Sequence, residues 1–212
     1  MHAGCIARGV NNMSLSRRSF LAGGGSLAVL FAVGGAGALF PKNANLLRPP
    51  GAQDEGSLLS ACIKCDRCRS VCPEKAIDVA HVEDGILLAR TPYLNFKKGY
   101  CTFCDGAFLC ARVCPVSALG SFDPERDKIG IAVVEESECL LYRSGSGSCS
   151  KNCIDACEYS ALSLDGSGRL VVDAECCNGC GACEHSCPSS SYGNFTASGK
   201  RGINVEVLGG AS

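Results

Sequence analysis

The sequence predicts an α+β fold of two similar modules whose interior is built around cysteines rather than a large apolar core. Cysteine accounts for 18 of the 212 residues, whereas Phe and Tyr together number 13 and Trp is absent. Sixteen of the cysteines form four quartets, and short strand-like segments separate them. Because such a chain cannot bury much aliphatic surface, we expect bound metal to replace part of its core.

The first and fourth quartets have the same regular spacing, Cys-x2-Cys-x2-Cys-x3-Cys-Pro, in residues 62–73 and 177–188. In loops of this kind three thiolates bind one [4Fe–4S] cluster and the fourth binds its neighbour. Zinc sites more often have separated pairs of ligands. These two quartets therefore indicate iron–sulfur clusters.

The other two quartets are less regular. The second, in residues 101–115, has one longer gap, and the third, in residues 139–157, has a Ser- and Gly-rich insertion and lacks the final proline. Because lengthening a flexible loop costs little entropy, we predict four [4Fe–4S] clusters. We prefer Cys177 to Cys176 for its regular spacing and assign no role to Cys5 or Cys176. The sixteen predicted ligands are Cys62, Cys65, Cys68, Cys72, Cys101, Cys104, Cys110, Cys114, Cys139, Cys149, Cys153, Cys157, Cys177, Cys180, Cys183 and Cys187.

Short strands are predicted between the quartets, at residues 76–80, 129–134, 161–164, 169–173 and 203–207. The third and fourth of these flank Asp165-Gly166-Ser167-Gly168 and predict a β-hairpin. Each cysteine loop should lead into a short helix and then a strand. The sequence thus predicts two ferredoxin-like two-cluster modules in succession.

Residues 1–47 are predicted to be an export signal and linker, followed by a four-cluster domain in residues 48–212. Arg17 and Arg18 precede an apolar, acid-free stretch at 20–40, which is the layout of a bacterial twin-arginine signal. This route exports proteins that already hold their cofactors, so the thiols can meet iron before they meet an oxidant. Cleavage near residues 36–38 and retention as a membrane anchor both stay open.

Charge and motif content exclude several functions. Residues 48–212 carry 16 basic and 21 acidic side chains, a net charge of −5, which argues against nucleic-acid binding. The sequence contains no Ser/His/Asp arrangement, phosphate loop or dinucleotide fingerprint. We therefore expect an electron-transfer component without a catalytic site of its own.

The order of features resembles the NapG/MauM-type ferredoxins. The signal is followed by a Leu-Arg-Pro-Pro-Gly-Ala segment at 47–52, the first quartet, Thr-Pro-Tyr at 91–93, and the other three quartets. The resemblance implies a periplasmic component of a quinol dehydrogenase. It would take electrons from a membrane-bound quinol-oxidising subunit and pass them to a periplasmic reductase, such as nitrate reductase, or to its haem or molybdenum subunit. The long third quartet, its missing proline and the short tail after Cys187 depart from this pattern.

By analogy with related four-cluster subunits, the first and fourth quartets are expected to exchange their fourth cysteines, as are the second and third. Cys187 would then join the first quartet and Cys72 the fourth, while Cys157 would join the second and Cys114 the third. The alternative exchange links the first quartet with the second and the third with the fourth.

Three other functions remain open at the level of sequence. One is a permanent beta-type electron-transfer subunit of a molybdopterin oxidoreductase of the dimethyl-sulfoxide or polysulfide reductase class. The second is an assembly factor that holds clusters without conducting electrons. The third is a structural protein held by disulfides, which would be colourless when purified.

Overall fold

The computed structural model describes residues 46–142, 149–190 and 200–208. The export signal predicted in residues 1–47 therefore lies almost entirely outside the described residues, as does most of the insertion in the third quartet. No helix within the described ranges is long and apolar enough to cross a membrane.

Short helices and strands alternate along the described chain. The helices are α1 (Glu55–Ala61), α2 (Arg67–Val71), α3 (Leu109–Arg112), α4 (Asn152–Asp155) and α5 (Ala182–Ser186). The strands are β1 (Ile77–Val79), β2 (Pro92–Leu94), β3 (Ile131–Val134), β4 (Leu162–Leu164), β5 (Leu170–Val172) and β6 (Ile203–Glu206). Single 3₁₀ turns occur at Val82–Asp84, Phe103–Gly106 and Pro188–Ser190.

The strands form antiparallel pairs: β1 with β2, β3 with β6, and β4 with β5. The predicted hairpin is confirmed, because β4 and β5 pair in register from Leu162 opposite Val172 to Leu164 opposite Leu170. Each of the five predicted strands contains an observed one. Strand β2 was not predicted; it begins at a proline and is only three residues long.

The elements form two modules of mixed helix and strand, which confirms the α+β class. The first module contains α1 to α3 with β1 and β2, and its core includes Leu58, Phe96 and Phe103. The second contains β3 to β6 with α4 and α5, and its core includes Leu162 and Ile203. In the first module α2 packs against α3, and in the second α4 packs against α5.

A buried arginine fastens the start of the domain to the first module. Arg48 is 4% exposed, and its Nε donates to Oε2 of Glu55 at 2.6 Å. One terminal nitrogen of Arg48 donates to Oγ1 of Thr91 at 3.0 Å and to the carbonyl of Pro92 at 2.7 Å. The segment 47–52 and residues 91–93 are thereby joined in one hydrogen-bond network, which spans α1 and β2.

Replacing this arginine should weaken the first module. Arg48→Ala leaves Thr91, the Pro92 carbonyl and Glu55 without their donor, so we expect a loss of about 2 kcal/mol in the free energy of unfolding. The measurement is the guanidinium midpoint at which the metal-loaded protein loses its visible absorbance under anaerobic conditions. The control is Arg126→Ala, since that side chain is 86% exposed and pairs loosely with Asp123 at 3.7 Å. Equal midpoints for both variants would contradict a structural role for Arg48.

Candidate functional site

Three cavities in the described structure are each lined by three cysteines of one quartet and the last cysteine of another. We name them site A, site C and site D. Site A is lined by Cys62, Cys65, Cys68 and Cys114. Site C is lined by Cys177, Cys180, Cys183 and Cys157. Site D is lined by Cys139, Cys149, Cys153 and Cys187.

The remaining four of the sixteen predicted ligands, Cys101, Cys104, Cys110 and Cys72, form site B. Burial raises the pKa of Cys101 to about 12, and the charges of Cys110, Cys104 and Cys72 raise it further. Burial likewise raises the pKa of Cys110 to about 11, with Cys104 and Cys72 adding to the shift. These mutual effects place the four thiols close together.

The predicted exchange of fourth cysteines is wrong, and the alternative is observed. Cys114 lies with the first quartet and Cys187 with the third, so the first quartet pairs with the second and the third with the fourth. The reason is helix packing. Helix α2 ends just before Cys72 and packs against α3, which ends close to Cys114. Each fourth cysteine therefore reaches the loop of the helix that packs against its own.

Within the described residues, the four helices that carry a cysteine begin in the same way. A residue in the left-handed region precedes each one, and the third cysteine of the quartet is its second residue. A left-handed residue followed by a right-handed helix turns successive N–H groups into one concavity, a geometry typical of iron–sulfur sites. The left-handed residues are Asp66 (φ 61°), Phe108 (φ 42°), Lys151 (φ 59°) and Gly181 (φ 81°).

Backbone N–H groups also point at the sulfurs. Ala118 N donates to Sγ of Cys114 at 3.3 Å, and Ala161 N donates to Sγ of Cys157 at the same distance. These are equivalent positions in the two modules, four residues after the last cysteine of a quartet. Such bonds stabilise thiolate charge and influence the reduction potential of a bound cluster.

The protonation of the buried thiols couples metal binding to proton release. The described cysteines are all free thiols, and burial raises the pKa of Cys153 and of Cys180 to about 11. Without iron these thiols therefore hold their protons at neutral pH, and iron must displace them.

No three His, Cys, Asp or Glu side chains in the described ranges are arranged to hold a single metal ion.

Site C contains a second indication that a group belongs in the cavity. Asn178 is 4% exposed and lines the cavity, yet its amide Nδ2 has no hydrogen-bond partner. Buried donors are nearly always paired. The donor set, the concave backbone and this unpaired N–H all fit a [4Fe–4S] cluster.

The two modules meet between sites B and C. The N–H of Cys101 in site B donates to the carbonyl of Cys180 in site C at 2.8 Å. The ring of Tyr159, which lines site C, lies edge-on to Phe103 with centroids 6.3 Å apart. Aromatic and backbone contacts therefore fill the space between these two sites.

Two glycines allow this close approach. A Cβ on Gly181 would lie 2.3 Å from the Phe96 ring, and a Cβ on Gly179 would lie 2.4 Å from the backbone of Gly130. Both glycines have positive φ angles, 81° and 77°. The small residues between the cysteines of the fourth quartet are thus required for contact with the first module and with the segment before β3.

The structure also distinguishes the two adjacent cysteines of the fourth quartet. Cys177 is buried and lines site C, whereas Cys176 is exposed and its N–H contacts Asp173. Cys149, which follows the long insertion, lies in site D. Cys177, which the regular spacing favours, is thus the member of the pair that lies with Cys180 and Cys183, and its role as a cluster ligand stays a prediction. Spacing alone gave no signal for Asn178 or Arg48, because their roles depend on residues distant in sequence.

Residues 61–118 match a 4Fe-4S dicluster domain, and residues 177–191 match a 4Fe-4S binding domain. The chain is 33% identical over 158 residues to the ferredoxin-type protein NapF of Escherichia coli (strain K12), covering 71% of this chain and 85% of NapF. It is 34% identical over 155 residues to the ferredoxin-type protein NapG of the same strain, covering 66% and 65% of the two chains. It is 35% identical over 174 residues to the methylamine utilization ferredoxin-type protein MauM of Paracoccus denitrificans (strain Pd 1222), covering 78% and 75%.

The fold and its cysteine sites therefore define a 4Fe-4S protein of the ferredoxin type, with electron transfer as its general function. Within that class, the chain belongs to the family of NapF, NapG and MauM ferredoxin-type proteins, as its resemblance at the level of sequence indicated. The dicluster match spans the first two quartets, in agreement with their pairing in one module.

Serine substitutions should reveal which cysteines share a cluster. Cys65→Ser and Cys114→Ser should alter the same component of the electron paramagnetic resonance spectrum of the reduced protein, because both line site A. Cys187→Ser should alter a different component, that of site D. If Cys65→Ser and Cys187→Ser instead altered the same component, the pairing of neighbouring quartets would be contradicted.

Proposed function

We propose that this protein is an exported electron carrier in which the sixteen cysteines hold four [4Fe–4S] clusters. It takes electrons from a membrane-bound quinol-oxidising partner and delivers them to a periplasmic molybdenum reductase such as nitrate reductase. The family membership supports the carrier role, and the twin-arginine pattern at Arg17 and Arg18 supports export. The family names alone specify neither the donor nor the acceptor.

The observation that carries this proposal is the arrangement of the four sites in series. Cys110 of site B is near enough to Cys68 of site A to contribute to raising its pKa. The bond from Cys101 to Cys180 joins site B to site C. Helices α4 and α5 pack together and carry Cys153 of site D and Cys183 of site C. The order is therefore A, B, C, D.

Each bound cluster would supply a one-electron redox couple. The chain contributes the fixed spacing of the sites and the apolar surroundings that exclude water. Phe103 stacks on Phe122 with centroids 5.6 Å apart, and Phe108 lies against both rings beside site B. A series of sites suits conduction between two partners, one at each end.

The first test is the metal content of protein isolated anaerobically from the periplasm. Iron and acid-labile sulfide should match four [4Fe–4S] clusters per chain, and quinol with membranes should reduce them. A content matching only two clusters would contradict the four-cluster proposal. Metal-loaded protein found solely in the cytoplasm would contradict export.

Site A is the end of the series with the most exposed ligand. Of the sixteen cysteines, Cys65 alone is exposed. Ile63, two residues before Cys65, is 59% exposed, and Leu87 is 56% exposed. The Nζ of Lys64, the residue next to Cys65, donates to the Leu87 carbonyl at 3.2 Å. An apolar patch next to a redox site is typical of a protein contact surface.

Charge indicates which partner this end meets. Residues 48–120 have a net charge of +1, whereas residues 121–212 have a net charge of −6. Net negative charge at a membrane surface repels an acidic module more than a nearly neutral one. We therefore propose that the first module approaches the membrane and that the quinol-oxidising partner docks at site A.

Acidic substitutions in this patch should slow electron entry. Ile63→Glu and Leu87→Glu would each bury a charge in the contact, and we expect the rate of reduction by quinol-loaded membranes to fall by about tenfold, equivalent to about 1.4 kcal/mol. The matched control is Val171→Glu, at a site that is 45% exposed on β5 of the second module. An equal effect of the control would contradict docking at site A.

A further inference from the structure

The side chain of Asn178 is held in one orientation. Its Oδ1 accepts a hydrogen bond from the N–H of Cys180 at 3.2 Å, and its own carbonyl accepts from the N–H of Ile129 at 2.9 Å. Because Oδ1 is engaged by a donor, the amide cannot be flipped without placing two donors against each other. Nδ2 therefore lies on the side of the amide that does not face the N–H of Cys180.

Asn178 lines the cavity of site C, and no acceptor among the described residues completes a hydrogen bond to its Nδ2. Burial raises the pKa of the Tyr159 hydroxyl in the same cavity, and the amide is close enough to oppose that shift, but the two do not complete a hydrogen bond of normal length. Asn178 is 4% exposed, so water from bulk solvent does not reach the group freely. The backbone there has little freedom, since Gly179 is pressed against Gly130. An unpaired donor fixed this firmly beside a cavity indicates that its acceptor belongs to the group that fills the cavity.

We propose that the side-chain amide of Asn178 donates a hydrogen bond to a sulfur atom of the cluster in site C and thereby raises its reduction potential. The reduced cluster carries one more negative charge than the oxidised one. A donor at one of its sulfur atoms therefore stabilises the reduced state more. The inference rests on the proposed function, in that it requires a cluster in this site.

The location of site C gives this residue its importance. Electrons that cross from the first module to the second pass between site B and site C, where Cys101 bonds to Cys180. Asn178 would make site C the better acceptor in that step. It is a positioning and tuning residue, and no cysteine ligand is changed by its replacement.

The test is a redox titration of the metal-loaded full chain, followed by electron paramagnetic resonance. Asn178→Leu removes the donor without adding charge. It should lower the ratio of reduced to oxidised cluster at fixed ambient potential by about tenfold, a shift of about 59 mV to more negative potential for a one-electron couple. The shift should affect the component that Cys157→Ser alters, since Cys157 lines site C.

Two controls separate this role from a structural one. Asn204→Leu removes an amide that is already paired with Arg201 and lies on β6, so the four potentials should stay the same. Tyr159→Phe removes the hydroxyl that contacts the amide in the same cavity. If Tyr159→Phe reproduces the shift to more negative potential, the hydroxyl and not Nδ2 is the donor to the cluster, and the proposal is overturned.

A measurement without substitution covers the case in which Asn178→Leu loses a cluster. With asparagine labelled by ¹⁵N in its side chain, the reduced site C cluster should show a weak ¹⁵N coupling. Its absence in fully loaded protein would overturn the role of Asn178, as would unchanged potentials in Asn178→Leu. A parent protein with fewer than four clusters would instead contradict the proposed function.

Discussion

Each cysteine site takes its fourth thiol from the other cysteine loop of the same module, and this exchange links the two loops of that module. The apolar cores are small, and cysteines form part of both. The strand pairs are three or four residues long, too short to be stable alone. Packing of α2 on α3 and of α4 on α5 brings the loops within reach of each other, and bound metal would convert that packing into a covalent network.

The constraint also explains the recurring backbone. Each of the described helices that carry a cysteine follows a left-handed residue, whatever the spacing between the preceding cysteines. The longer gap of the second quartet and the insertion of the third both fall before that residue. A loop can therefore lengthen while the left-handed residue, the first residue of the helix and the third cysteine stay consecutive in the sequence. For this reason irregular quartets still form compact sites.

The two modules have similar folds but different net charges, so the two ends of the series of sites differ. The first module is nearly neutral and contains the exposed cysteine of site A, Cys65, whereas the second is acidic. Contacts between the modules include groups around sites B and C, among them Gly181, where any larger residue would clash with the Phe96 ring. A chain of sites with unlike ends is suited to two unlike partners.

Local pattern was sufficient for much of this protein. The spacing grouped the first three cysteines of each quartet as the structure does, and β-branched and turn residues located five strands. Both features depend on residues close in sequence, for which spacing translates directly into geometry. Strand β2 was not predicted because Pro92 weakens the strand signal of its sequence. It forms because it pairs with β1.

Tertiary packing settled what spacing left open. The packing of the helices decides which loop contains each fourth cysteine, that is Cys72, Cys114, Cys157 and Cys187. Sequence spacing alone is compatible with more than one partner loop for each of them. The same holds for Arg48, which bonds across more than 40 residues to Thr91, and for Asn178, whose significance is an unpaired N–H beside a cavity. Ligand type follows from local sequence, whereas ligand partnership, the order of the sites and their tuning follow from contacts between distant segments.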